Sequence, residues 1–149
     1  MRQKKIRAVL FDYDGVLADT MFDNFSSWYF AFRQHGVEIN KNEFMLLEGL
    51  SSKAITEKIG KKHKLNNKLF SKIIENKEEH YINNNTFALY EGTDNLIDNL
   101  KKMGIKLAIV SGASLCRIKA VTSPIFLSKF DVIINADNIS HPKPHPEPY

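Results

Sequence analysis

Four apolar residues, Ala8 to Phe11, run directly into Asp12-Tyr13-Asp14-Gly15, and no other stretch of the chain restricts its fold as strongly. A short uninterrupted apolar run reads as a buried strand. Side chains alternate along an extended backbone, so Asp12 and Asp14 leave the carboxyl end of that strand on the same side. Gly15 then permits a backbone conformation that other residues resist, as a sharp exit requires. Open α/β sheets bind their ligands beyond the carboxyl ends of their strands, so chemistry is expected here. Two carboxylates spaced by one residue are weak evidence alone, because such pairs also cap ordinary loops and bind metals in unrelated folds.

The rest of the chain supplies the context. Phe22, Phe25, Trp28 and Phe32 recur at three- and four-residue steps up to Gly36, which predicts an amphipathic helix whose aromatic stripe is core. Asn40 with Glu43 resembles a capping box for a short helix that Gly49 closes. Ser51 or Ser52 opens another that Gly60 ends, and a longer helix runs from about Asn67 to Tyr81, ended by the polar run Asn83 to Asn85. From Thr93 the pattern changes: a helix to Gly104, a strand Lys106 to Val110, a loop Ser111 to Ser114, a helix broken at Pro124, and a third strand within Asp131 to Asn135. His141 to Tyr149 holds four of the five prolines and is expected to be extended loop. One strand, a run of helices, then two strands each preceded by a helix predict an α/β fold: a doubly wound parallel sheet interrupted after its first strand.

Composition fixes what such a chain can be. Its 149 residues, 43% hydrophobic and including ten Phe, suffice for one domain or a small core with an inserted subdomain. The net charge of +4 is local: residues 53 to 79 hold eight Lys against four acids, and the remainder balances at 13 basic and 13 acidic. Helical spacing within that span makes it a solvated face rather than a nucleic-acid footprint, and no aromatics interleave with the lysines. The basic start, Met1 to Arg7, precedes too few apolar residues for a secretory segment, and no membrane-spanning run follows, so a cytoplasmic protein is expected. Cys116, the only cysteine, excludes an internal disulfide and reads as a small buried hydrophobe. His141 and His145 are four apart, but a proline-rich loop lacks helical geometry, and they stay unassigned.

Three segments stand in order at or just past strand ends: Phe11-Asp12-Tyr13-Asp14-Gly15-Val16-Leu17-Ala18-Asp19-Thr20, Ile109-Val110-Ser111-Gly112, and Lys143-Pro144-His145-Pro146-Glu147-Pro148-Tyr149. Together they resemble the haloacid dehalogenase superfamily, in particular the capped branch that includes phosphoglycolate phosphatase and β-phosphoglucomutase. The resemblance implies a core of residues 1–20 and 86–149 with a helical cap of 21–85. It implies a Mg²⁺-dependent phosphatase acting on a small phosphorylated metabolite. Asp12 would be the nucleophile and Asp14 the general acid and base; Ser111, Gly112 and Lys143 would hold the phosphate; Asp12 and the Asp14 carbonyl would bind Mg²⁺. Asp19 and Thr20 would cap the next helix and form the hinge. Charge arithmetic agrees: with Asp14 neutral, a divalent ion, one ammonium, one carboxylate and a phosphate dianion sum to zero, so an anionic nucleophile becomes workable.

The family's pattern continues with a fourth strand whose end carries acidic metal ligands, whereas this sequence stops at Tyr149. The expectation is an incomplete chain, a weakened metal shell, and a first strand left as an unprotected edge through which copies self-associate. Two alternatives stand beside the phosphatase. A phosphohexomutase is disfavoured because Asn24 and Ser52 occupy the places of that branch's histidine and arginine, with Lys53 as a substitute for the latter. A non-catalytic truncated remnant is the other.

Overall fold

A computed structural model of the protein describes residues 5–149; Met1 to Lys4, most of the basic start, lie outside the described residues. Strand β1 (Ala8–Phe11) is followed by four helices, α1 (Met21–Arg33), α2 (Lys41–Met45), α3 (Ser52–Lys62) and α4 (Phe70–Asn84). Helix α5 (Thr93–Lys102), β2 (Lys106–Val110), α6 (Leu115–Val121), α7 (Pro124–Leu127) and β3 (Val132–Ile134) complete the order. The strands are parallel in the sequence β1-β2-β3, with Phe11 opposite Ile109 and Ile109 opposite Ile133. Their carboxyl ends therefore share one rim.

Two apolar clusters form. Tyr13, Leu17, Ile97, Leu107, Ile109 and Ile118 pack around the sheet. Trp28, Phe32, Phe44, Ile55 and Ile73 pack among α1 to α4, as the aromatic stripe predicts, although Phe22 stays exposed. Only β2 is buried on both sides. β1 sits at the edge, with Ala8 and Leu10 exposed, so the expected buried strand is half-covered.

Several local expectations need correction. Gly60 does not end α3; it is buried inside it, because a Cβ there would lie 2.5 Å from the Phe70 ring. The helix instead ends at His63, with Lys64 at φ +56°. Residues Asn67–Leu69 form a 3₁₀ turn ahead of α4. Pro124 does not only interrupt a helix but starts α7, where its missing N–H costs nothing. Cys116 is exposed, and its neighbour Arg117 is buried instead. Of the eight lysines expected on a solvated face, Lys77 is buried at 1% exposure. The Asn40 side chain accepts from the Asn42 and Glu43 amides, while Glu43 turns away to pair with Lys62.

Candidate active site

The first turn beyond β1 is tied by backbone. The Leu17 and Ala18 amides donate to the Tyr13 carbonyl, and the Gly15 amide donates to Ala18, with Gly15 at φ +73° as the sharp exit requires. Asp12 Oδ1 accepts from the Tyr13 amide at 2.8 Å and lies 3.0 Å from Lys143 Nζ. The same ammonium donates to the Val110 carbonyl at 2.8 Å, so Lys143 joins the ends of β1 and β2. Asp14 accepts at both oxygens: Oδ1 from the Thr20 hydroxyl at 2.7 Å, Oδ2 from the Arg117 guanidinium at 2.6 Å. Thr20 thus holds Asp14; its side chain does not cap α1.

Ser111 is buried, its Oγ accepting from the Ala113 amide at 3.0 Å, which leaves its own proton free to donate. Gly112 lies under the helical layer. A Cβ there would come within 3.0 Å of the Leu50 carbonyl oxygen, so only glycine lets the α2–α3 turn approach this closely. Between rim and helices lies a cavity of about 240 Å³ lined by Asp12, Asp14 and Gly112 from below and by Asn24, Glu48, Lys77 and Arg117 around its sides.

Asn24, Glu48 and Arg117 form a polar network, with Lys77 lining the same cavity outside it; of the four, only Asn24 was singled out in the sequence. Arg117 donates to Asn24 Oδ1 at 2.9 Å, and the Asn24 amide donates to both Glu48 oxygens at 3.2 Å. Burial pushes the Glu48 carboxyl up to about 7, against the pull of the Asn24 hydrogen bond. Burial, reinforced by the Arg117 charge, pushes the Lys77 ammonium down to about 8. Lys77 keeps one ion pair, 3.0 Å to Glu78, and lies 5.3 Å and 5.4 Å from the Trp28 and Tyr81 ring centroids. The buried Arg117 Nε has no partner among the described residues. One signal was available: Ile73, Lys77 and Tyr81 share a four-residue spacing and hence one buried face of α4. Arg117 offered none, because a seven-residue helix is too short for periodicity to fix its phase.

Of the five residues expected to act, Asp12, Asp14 and Gly112 line the cavity, Lys143 contacts Asp12, and Ser111 is buried next to Gly112 without lining the cavity. Asp12 Oδ2 and the Asp14 main-chain carbonyl accept no hydrogen bond among the described residues. Both are hard oxygen donors of the kind Mg²⁺ takes. No third carboxylate among the described residues joins them at ligand spacing, so the residues present fit part of an octahedral shell.

Residues 9–149 match the family model described as haloacid dehalogenase-like hydrolase. The chain belongs to this family. It is 27% identical over 146 residues to a pyrophosphatase PpaX of Oceanobacillus iheyensis, covering 96% of this chain and 65% of that protein. A pyrophosphatase PpaX of Bacillus cereus is 31% identical over 158 residues, covering 97% of this chain and 66% of the relative. The chain therefore spans about two thirds of the length of these relatives. A putative β-phosphoglucomutase from Bacteroides vulgatus superposes with a TM-score of 0.85 at 23% identity, covering 99% of this chain and 62% of that one. CbbY from Rhodobacter sphaeroides in complex with phosphate superposes at 0.80 with 27% identity, covering 95% and 68%. Family and fold make the chain part of a haloacid dehalogenase-like hydrolase fold, an α/β sheet with helices inserted after its first strand.

Proposed function

We propose that this haloacid dehalogenase-like chain provides the phosphoryl-transfer residues of a Mg²⁺-dependent phosphoric monoester hydrolase acting on a small phosphorylated metabolite. The contact that carries the reading is Asp12 to Lys143 at 3.0 Å, made on the rim of a parallel sheet with Asp14 lining the same cavity. The Asp12 carboxylate attacks phosphorus while the bond to the leaving oxygen breaks, giving an aspartyl-phosphate. Asp14 protonates the leaving oxygen and then takes a proton from the water that releases phosphate. To donate, Asp14 must exchange one of its two present contacts, with Thr20 or with Arg117. Lys143 neutralises charge on the transferred group, and the Ser111 hydroxyl and Gly112 amide bind its oxygens.

Asp12 and the Asp14 carbonyl would hold Mg²⁺, which when bound supplies the positive charge that offsets repulsion between carboxylate and phosphate dianion. Residues 21–85 act as a cap over the cavity, whose volume suits phosphate with a small organic group. Hydrolysis is preferred to the mutase reaction because Asn24 is occupied by Arg117 and Glu48, and Ser52 brings no charge.

Release of inorganic phosphate from p-nitrophenyl phosphate tests the reading. The chain should release it with Mg²⁺ and stop with EDTA, and Asp12→Asn should lower the rate by at least about a thousandfold. Turnover by Asp12→Asn at the unaltered rate would remove Asp12 as nucleophile. No release from either chain would favour the non-catalytic remnant.

A further inference from the structure

The loop that carries Lys143 brings together three side chains that the phosphatase chemistry leaves unused. Although the loop is not helical, the His141 and His145 rings lie against each other in a tilted arrangement, with centroids 4.5 Å apart and planes inclined by 31°. The turn closes when the His145 amide donates to the Pro142 carbonyl at 3.0 Å. Glu147 then folds back: Oε1 accepts from the Ser140 amide at 2.7 Å, and Oε2 accepts from the His141 amide at 2.8 Å and lies 2.7 Å from His141 Nδ1. The Glu147 amide donates to His145 Nδ1 at 3.1 Å. One ligand atom from each of the three residues lies within 4.8 Å of the others, and all three side chains are exposed.

We propose that His141, His145 and Glu147 form a binding site for a borderline divalent metal ion, Zn²⁺ or its close analogues, separate from the Mg²⁺ position at Asp12. Two imidazoles and a carboxylate are donors for Zn²⁺, Co²⁺ or Ni²⁺, whereas Mg²⁺ selects oxygen alone. Ligand atoms bonded to tetrahedral Zn²⁺ at about 2.0–2.1 Å sit roughly 3.4 Å apart, so exposed side chains need only rotate to contract the present spread. The Ser140 and His141 amides already orient the carboxylate, the support that metal-binding carboxylates ordinarily have. Prolines 142, 144, 146 and 148 restrict the loop before binding and lower the entropy lost on ordering it. With Lys143 inside the clamped segment, the ion would staple the loop that holds this ammonium against Asp12.

The test titrates Zn²⁺ calorimetrically into the metal-free 149-residue chain in a Cys116→Ser background, which removes the one exposed thiol, with millimolar Mg²⁺ present throughout. One ion should bind per chain, and Co²⁺ should give the visible absorption of a tetrahedral N/O site. Either His145→Ala or Glu147→Gln should weaken binding at least about tenfold, and His141→Ala with His145→Ala should abolish it. Asp12→Asn should leave it unchanged. In the unmutated chain, NMR ring signals of His141 and His145 should move on Zn²⁺ addition while those of His35, His63 and His80 stay, a readout independent of any variant's folding. Unchanged affinity in the double variant, loss of Zn²⁺ binding in Asp12→Asn, or no saturable binding at millimolar Zn²⁺ would overturn the assignment.

Discussion

Glu48 and Lys77 face the same cavity with their ionisation displaced by the same cause, loss of water, and the two displacements act on stability in opposite pH ranges. The folded chain holds the Glu48 proton up to about 7, well above the ordinary 4.5, so it binds that proton more tightly than the unfolded chain does. Stability contributed at Glu48 is therefore full below the ordinary carboxylate range and is lost as pH rises to about 7. Glu48→Gln should flatten the fall in Tm across that interval, read by circular dichroism. The folded Lys77 loses its proton near 8 instead of 10.5, so the penalty for burying its charge disappears as pH rises between those values. Lys77→Met should abolish that rise in Tm. A Tm profile unchanged in either variant would contradict the assigned cause. At this scale Asp12, Asp14 and Lys143 were legible because motif and strand end coincide. Arg117 was not, because its partners Asp14 and Asn24 are 103 and 93 residues away in sequence.

The element order was readable from apolar runs and breakers, and the errors fall where glycine or proline serves a second purpose. Gly60 reads as a helix stop, yet its missing side chain makes room for Phe70 as α4 crosses α3. Gly60→Ala should therefore destabilise by about 1 kcal/mol, a packing cost of roughly 1–3 kcal/mol offset in part by the gain of about 1 kcal/mol in helix propensity. In a Phe70→Leu background the same change should cost less, which chemical denaturation of the four chains would show. Pro124 reads as a stop because sequence alone does not distinguish a proline that ends one helix from a proline at the first position of another. The misplacement of Cys116 has the same root as the omission of Arg117: rotating α6 by one residue exchanges them.

Across the molecule, the three-stranded order leaves β1 with one side of its backbone unpaired among the described residues and Leu10 42% exposed. Such an edge pairs with other chains unless it is covered or charged. The 149-residue chain should therefore self-associate with rising concentration, and Leu10→Lys should move it toward monomer in sedimentation velocity; equal association by both would place the contact elsewhere. The same order sets three loops on one rim and lays the helical layer over them, so a cavity forms where Asp12, Asp14 and Gly112 converge, with Lys143 paired to Asp12. The account rests on transient attachment of phosphorus to Asp12. Acid quenching of the chain during turnover of a phosphate monoester with Mg²⁺, followed by peptide mass spectrometry, should find the phosphoryl adduct on the peptide containing Asp12. Phosphate release with the adduct on another residue, or with Asp12 never modified, would contradict it.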